Sequence, residues 1–350
     1  MIGAGLLGLA TARVLARAGR EVLVLEASVV GHAGAGSKGT ARIFRLGYPD
    51  PRYVRMAQAA ERHWRELEAE SGRALLHTTG QIDFGEGMDA VAAALGEAGA
   101  PIVVLGAAEV AERWPALCAR GRAIYEPSSG VLAADECLAA LGDGVEVLEG
   151  VRVTGLVDDG REVEVRGGRE VYGARVAIVC AGARTMALLD ALVRVPLQAS
   201  LEQVAYFALS GVTPAPPIFI EWGTPALYGL PEPDGQRYKM AFHGNGPVVD
   251  PVTAAFEADP AMVGALGEAA RRLLPALDPV PVTTERCVYD NTADTDFIVD
   301  RVGRVVIGAG TSGHGFKFGP LLGEALADLA TGTTPSIDLE RFALSRATLN

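Results

Sequence analysis

Three glycines and an acid at the start of the chain are spaced to hold a dinucleotide. Gly3, Gly5 and Gly8 form G-x-G-x-x-G, and Glu26 stands 18 residues after Gly8. In a βαβ unit the first glycine allows the tight turn, the second lets backbone approach a pyrophosphate, and the third lets helix and strand pack closely. N–H groups at the helix start face the phosphates. The acid accepts hydrogen bonds from ribose hydroxyls. Cations come next. Arg42 and Arg45, three apart, fit one face of a helix. Behind a glycine-rich loop they suit an anion. Lys239, in YKMAF, alternates with Met240 and faces away from it. A second glycine-rich run, AGTSGHGFK, covers Ala309 to Lys317. Other chemistry-bearing residues, taken singly, have ordinary readings. Cys287 suits a strand core, and Tyr228 and Tyr289 suit packing. His243 and His314 suit core or surface positions.

The elements that position these residues follow from periodicity. Leu6 to Ala18 is helical, and Glu21 to Leu25 is a strand ending on Glu26. The unit calls for a strand before Gly3, where the chain supplies Met1 and Ile2, so a central sheet position is expected to be partly empty. A small-sided loop runs from Ala27 to Ala41. Tyr53 to Glu70 is an amphipathic helix with Trp64 on its apolar face. Thr78 to Phe84 is one strand entering a second domain. Val145 to Arg166 gives short strands in a meander. Arg175 to Gly182 is a buried parallel strand. From Gln198 to Tyr289 alternation predicts one antiparallel sheet, with a helix from Ala261 to Leu274. Near the end, a helix from Leu321 to Ala330 is expected to aim its N-terminus at whatever the glycine-rich loop holds. The fold class is α/β (α+β overall). A Rossmann-like dinucleotide domain is built from residues 1–76, 132–196 and 290–350. An antiparallel-sheet substrate domain is built from 77–131 and 197–289.

Composition narrows the function. The chain has 350 residues, 49% of them apolar, which suits two domains. Its 31 Lys and Arg against 43 Asp and Glu give a net charge of −12, so nucleic acid is not an expected partner. The four cysteines are scattered, without metal-ligand spacing, so no metal is expected and a reducing cytoplasm fits. No apolar run reaches the length of a membrane span. The start lacks the basic region of a signal peptide. No heptad pattern argues for assembly, so a monomer is expected.

Four segments together resemble one family. They are GAGLLG with Glu26, GSKGTARIFR from Gly36 to Arg45, TERCVYDNTADTDFIVD from Thr284 to Asp300, and GTSGHGFKFGP from Gly310 to Pro320. The chain resembles the monomeric sarcosine oxidase and N-methyltryptophan oxidase family of flavoprotein amine oxidases, within the D-amino-acid-oxidase-like group. The resemblance implies FAD, bonded through the Cys287 sulfur. It implies that Gly3, Gly5, Gly8, Glu26, Ser37, Arg42, Gly310, Gly313, His314, Gly315 and Lys317 contact that cofactor. It further implies that Lys239 activates dioxygen, and that Arg45 and Lys317 clamp a substrate carboxylate. Arg42 would lie near the flavin, and Tyr228, His243 and Tyr289 would line the substrate cavity. Phe219 stands where sarcosine oxidase has methionine, which predicts an altered pocket.

The implied activity is oxidation of a secondary amino acid to an imine, with O2 reduced to H2O2. Sarcosine, other N-methyl amino acids and pipecolate are the implied substrates. An alternative keeps the fold and acts on a specialised amino acid in biosynthesis, as oxidase or dehydrogenase. A nicotinamide dehydrogenase would share the glycine motif but has no use for Cys287 or GHGFK. A non-catalytic FAD-binding remnant is the third alternative, and the presence of Arg45, Lys239 and Lys317 argues against it.

Overall fold

The computed structural model describes residues 1–209 and 211–349. The first helix, Leu6–Arg17, buries Leu6, Leu7, Leu9, Ala10, Ala12 and Leu15. Leucine and alanine are strong helix formers, so propensity and burial agree here. Val24–Leu25 follows as a short strand, paired in parallel with Val147–Leu148. Ile2 bridges in parallel to both Leu25 and Val179. Its N–H donates to the Ile178 carbonyl, and the Gly3 N–H donates to that of Leu25, each at 2.9 Å. The central position is thus occupied, by a single bridging residue. Ala177–Val179 continues the sheet in parallel with Val305–Ala309, and Ile298–Val302 closes it antiparallel.

Helices cover one face of this sheet. Gly319–Thr331 and Ala134–Gly142 pack against the first helix, Leu6–Arg17. The antiparallel meander Val153–Asp158, Val163–Gly167 and Glu170–Ala174 covers the other face. Its third strand was not expected from the sequence. The doubly covered sheet explains why its strands are short apolar runs without alternation.

The second sheet has eight strands. In order they are Thr283–Asn291, Gln198–Ala208, Arg237–Phe242, Leu227–Pro231, Ile218–Trp222, Gln81–Gly85, Ala123–Glu126 and Val103–Leu105. The strands from Gln198 to Asn291 pair antiparallel, as expected, and the whole sheet is mixed because Ile218–Trp222 runs parallel to Gln81–Gly85. Those two strands come from separate excursions of the chain, so no hairpin dictates their direction. Register fixes what each face carries. Phe207, Phe219, Tyr238, Met240, Ile82 and Phe84 lie on one face and share a core with the Pro260–Leu273 helix. Cys287 pairs with Glu202, Tyr206 with Lys239, Ala241 with Tyr228, Tyr228 with Ile220, and Ile220 with Asp83. Paired residues share a face, so these all point the other way, away from that core.

Two further expectations are corrected. Arg42 and Arg45 share no helix; Ala41–Phe44 is a strand, antiparallel to Gly130–Ala133. Phe44 is fully buried and the strand completes a three-stranded sheet with Leu76–Thr78, so tertiary pairing decides its state. Thr78 to Phe84 is also not one strand. Leu76–Thr78 and Gln81–Gly85 belong to different sheets. Among the described residues no helix is long and apolar enough to cross a membrane.

Candidate active site

A continuous cavity of about 570 Å³ runs between the two sheets. At one end are Gly3, Gly5, Glu26 and Ser37. Gly8 stands behind this wall. A Cβ on Gly8 would lie 1.9 Å from the Gly3 carbonyl oxygen, so only glycine lets the helix close on the turn. A Cβ on Gly5 would meet nothing nearer than the Ser37 Oγ, at 3.2 Å, so backbone is open to the cavity there. Ser37 Oγ accepts from the Leu6 N–H at 3.0 Å, at the start of the helix. The Glu26 carboxylate accepts from Ala4 N–H at 2.8 Å and from Ser28 N–H at 3.0 Å. This end fits a dinucleotide: open backbone at a helix N-terminus, then an acid at the strand end.

The middle of the cavity carries Arg42, Cys287, Lys239 and Tyr228. Arg42 Nη2 donates to the Gly36 carbonyl at 3.0 Å and to that of Lys38 at 2.5 Å, which ties the small-residue loop to the Ala41–Phe44 strand. Lys239 is buried, and its Nζ donates to the Ala41 carbonyl at 3.2 Å. Burial, and then the neighbouring Arg42, bring its pKa down to about 7. Cys287 is partly buried and unpaired. Burial raises its thiol pKa, while Arg42 and Lys239 oppose the rise. Burial also raises the Tyr228 and Tyr289 phenols.

The far end holds Arg45, Lys317, His243, Tyr289 and His314. Arg45 reaches it because it lies just past the strand end. Its guanidinium carbon sits 4.1 Å from the Tyr48 ring centroid and 5.3 Å from that of Trp222. Lys317 Nζ donates to the Tyr48 hydroxyl at 2.9 Å and to the His314 carbonyl at 2.7 Å. Trp64 Nε1 donates to the Lys317 carbonyl at 2.8 Å, so the Pro51–Ser71 helix holds the lysine backbone. Tyr48 contacts His314 Nδ1 at 3.3 Å, and His314 Nε2 contacts the Thr295 carbonyl at 2.9 Å. A neutral ring with its proton on Nε2 satisfies both, with Tyr48 donating. Burial, then Lys317, lowers the His314 pKa and so favours that form. Burial, then Arg45 and Lys317, lowers His243 to about 4. Burial, then Arg45, also lowers Lys317 well below its usual value. A carboxylate bound between Arg45 and Lys317 would offset the burial and mutual repulsion that lower the lysine.

The second glycine-rich loop is held from behind by Asp290. Its buried carboxylate accepts from Gly310 N–H at 2.8 Å and Thr311 N–H at 3.0 Å. Gly313, His314, Gly315 and Lys317 line the cavity; Gly310 does not. Nor does any residue of the Gly319–Thr331 helix. Its N-terminus packs on Leu6 instead of facing the cavity, and the turn Phe316–Phe318 comes between. Phe219 is likewise outside. It lies on the core face of its strand, with its ring 6.0 Å from that of Tyr238. The residues from that strand which line the cavity are Ile220 and Trp222. Sequence reasoning missed Trp222, Tyr48 and Asp290. Strand parity from Phe219 would have found the first.

Comparison with known proteins agrees with this geometry. The sequence model of the FAD dependent oxidoreductase family matches residues 1–329. The chain is 33% identical to the peroxisomal sarcosine oxidase of Homo sapiens, over 99% of this chain and 95% of that one. It is 30% identical to the monomeric sarcosine oxidase of Bacillus sp. (strain B-0618), over 100% and 96%. Among solved structures, NikD, an amino acid oxidase essential for nikkomycin biosynthesis, superposes with a TM-score of 0.89. It is 27% identical, over 98% of this chain and 95% of its own. With an open glycine turn, an acid at the strand end and relatives matched along the whole chain, this protein belongs to the FAD-dependent oxidoreductase family.

Proposed function

We propose that the protein oxidises secondary α-amino acids to imines and passes the electrons to O2, giving H2O2. The observation that carries this reading is the continuity of the cavity. It joins the Gly3–Gly5 turn and Glu26, through Cys287 and Lys239, to Arg45 and Lys317. FAD, when bound, supplies the two-electron chemistry. The chain's own residues do the rest. Gly3, Gly5, Glu26 and Ser37 hold the dinucleotide, with Gly8 and Gly310 shaping the turns behind it. Gly313, His314 and Gly315 close over the ring end. Cys287 is the attachment point for a covalent flavin, and Arg42 lies beside it.

Arg45 and Lys317 receive the substrate carboxylate and fix its orientation. His243, Tyr228 and Tyr289 wall the cavity. The apolar surroundings lower the pKa of a bound ammonium, so the amine is neutral when it is oxidised. Lys239 offers a positive charge where dioxygen is reduced. Sarcosine, other N-methyl amino acids and pipecolate have the required amine and carboxylate. The division into a dinucleotide domain (1–76, 132–196, 290–350) and a substrate domain (77–131, 197–289) belongs to this reading, as do a monomer and a cytoplasmic location. Acid precipitation tests the attachment. Yellow colour stays with the pellet of the natural protein and leaves with the supernatant of Cys287→Ala. Colour released from both would remove Cys287 from this role.

A further inference from the structure

The far end of the cavity contains a device that the reaction roles above leave unused. Trp222 and Asp83 come from neighbouring parallel strands, Ile218–Trp222 and Gln81–Gly85. Register turns Asp83 to the cavity side, away from Ile82 and Phe84 in the core. Asp83 is nonetheless fully buried and does not line the cavity. Its carboxylate accepts from Trp222 Nε1 at 2.7 Å and from Gln81 Nε2 at 2.8 Å. Backbone seals it from the third side. A Cβ on Gly47 would lie 2.9 Å from Asp83 Oδ2, and the Gly47 carbonyl accepts from Arg45 Nη1.

A carboxylate shut off from solvent must keep its hydrogen-bond donors, so it pins the indole that supplies one. The pinned indole stands 5.3 Å from the Arg45 guanidinium, and Tyr48 stands 4.1 Å from it. With rings on it, and one edge donating to Gly47, the guanidinium has its free N–H groups left in its own plane. That is the arrangement for receiving a planar carboxylate edge-on.

We infer that Asp83 and Trp222 are positioning residues for Arg45: Asp83 locks the Trp222 indole, which with Tyr48 holds the guanidinium flat for a ligand carboxylate. This rests on the reading of Arg45 as half of the carboxylate clamp. The consequence is specificity. The pair raises affinity for a carboxylate and does little for the same molecule with a neutral amide.

The test uses flavin-loaded protein and two unreactive probes, methoxyacetate and methoxyacetamide, with binding followed by perturbation of the visible flavin spectrum. Trp222→Phe keeps a ring and loses the N–H; Asp83→Ala removes the lock. Each weakens methoxyacetate about tenfold, because Arg45 is no longer held in place for the carboxylate. The double variant is no weaker than the worse single, because both break one contact. Asp83→Asn, which still accepts from the indole, recovers most of the loss. Methoxyacetamide binds all variants alike.

Unchanged methoxyacetate binding in flavin-loaded Trp222→Phe overturns the inference, and so does equal weakening of both probes. If Asp83→Ala fails to retain flavin, Trp222→Phe and Asp83→Asn decide by the same criteria. A natural protein that binds the two probes equally contradicts the clamp itself, and with it the proposed function.

Discussion

Lys317 and Tyr48 meet at 2.9 Å, ammonium to phenol oxygen, and the same tyrosine ring lies 4.1 Å from the Arg45 guanidinium. One aromatic residue therefore serves both cations. Burial raises its own pKa to about 12, so it stays a neutral phenol at physiological pH. Tyr48→Phe keeps the ring under Arg45 and removes the oxygen from Lys317. A lost hydrogen bond to a charged group is worth about 1.5–3 kcal/mol, which is roughly tenfold or more in affinity. The expected outcome is a KM for sarcosine raised about tenfold with kcat nearly unchanged, the pattern of lost ground-state and transition-state binding alike. Steady-state oxygen uptake measures both constants.

Lys239 gives the account its pH dependence. With a pKa near 7 it carries its charge below pH 7 and sheds it above. Reaction of the reduced enzyme with O2 should slow as pH rises through 7. Lys239→Met should slow it by about 10²-fold at pH 6, the usual scale for a lost electrostatic contact, and flatten the profile. Stability follows the opposite sense. Between pH 7 and 10.5 the unfolded chain keeps a proton that the folded one has released. Stability therefore climbs with pH; Lys239 contributes at most about 1.4 kcal/mol per unit, and Lys239→Met lowers the climb by that share while the part due to Lys317 remains. Stopped-flow oxidation and urea melts of the flavin-loaded protein at several pH values read the two effects.

Gly313 has φ +73°, and a Cβ there would lie 2.0 Å from the Tyr289 ring. Gly313→Ala forces the loop and the ring apart. The cost is of order 1–3 kcal/mol from the backbone alone. The variant should show a lower thermal midpoint and a smaller flavin content per protein, both read from one absorbance and melting series.

Phe219 should matter less than its sequence position suggests. It packs among Phe84 and Tyr238 on the far face of the sheet. Phe219→Met is a change of core packing, costing less than about 1.5 kcal/mol. Relative kcat/KM values for sarcosine and pipecolate should not move. A shift in their ratio would mean that the ring reaches the substrate.

What the sequence revealed and what it hid divide along physical lines. The Gly3–Gly8 turn, Glu26 and the GHGFK loop are local: their backbone needs are written in neighbouring residues. Lys239 was legible because strand alternation put it opposite Met240, and the two do face apart. Trp222 was open to strand parity from Phe219, but its meeting with Tyr48 and Asp83 was not legible, since it depends on how segments far apart in the chain come together. Gln81 and Asp83 alternate with Ile82 and Phe84, which ordinarily marks a strand with one wet face. Here both faces are covered, and the polar side becomes the support of Arg45. The arginine pair was misjudged for a related reason. Spacing of three suited a helix, but pairing with Gly130–Ala133 drew Ala41–Phe44 into a strand.

The central claim is that one cavity brings a secondary amino acid to bound FAD. The most direct measurement is an anaerobic titration of the purified flavin-loaded protein with sarcosine and pipecolate, followed by admission of air. The account predicts that one of these amines bleaches the visible flavin band, and that air restores it with one H2O2 per flavin. Flavin that stays oxidised with both of them, and with a panel of other N-methyl amino acids, would contradict the account.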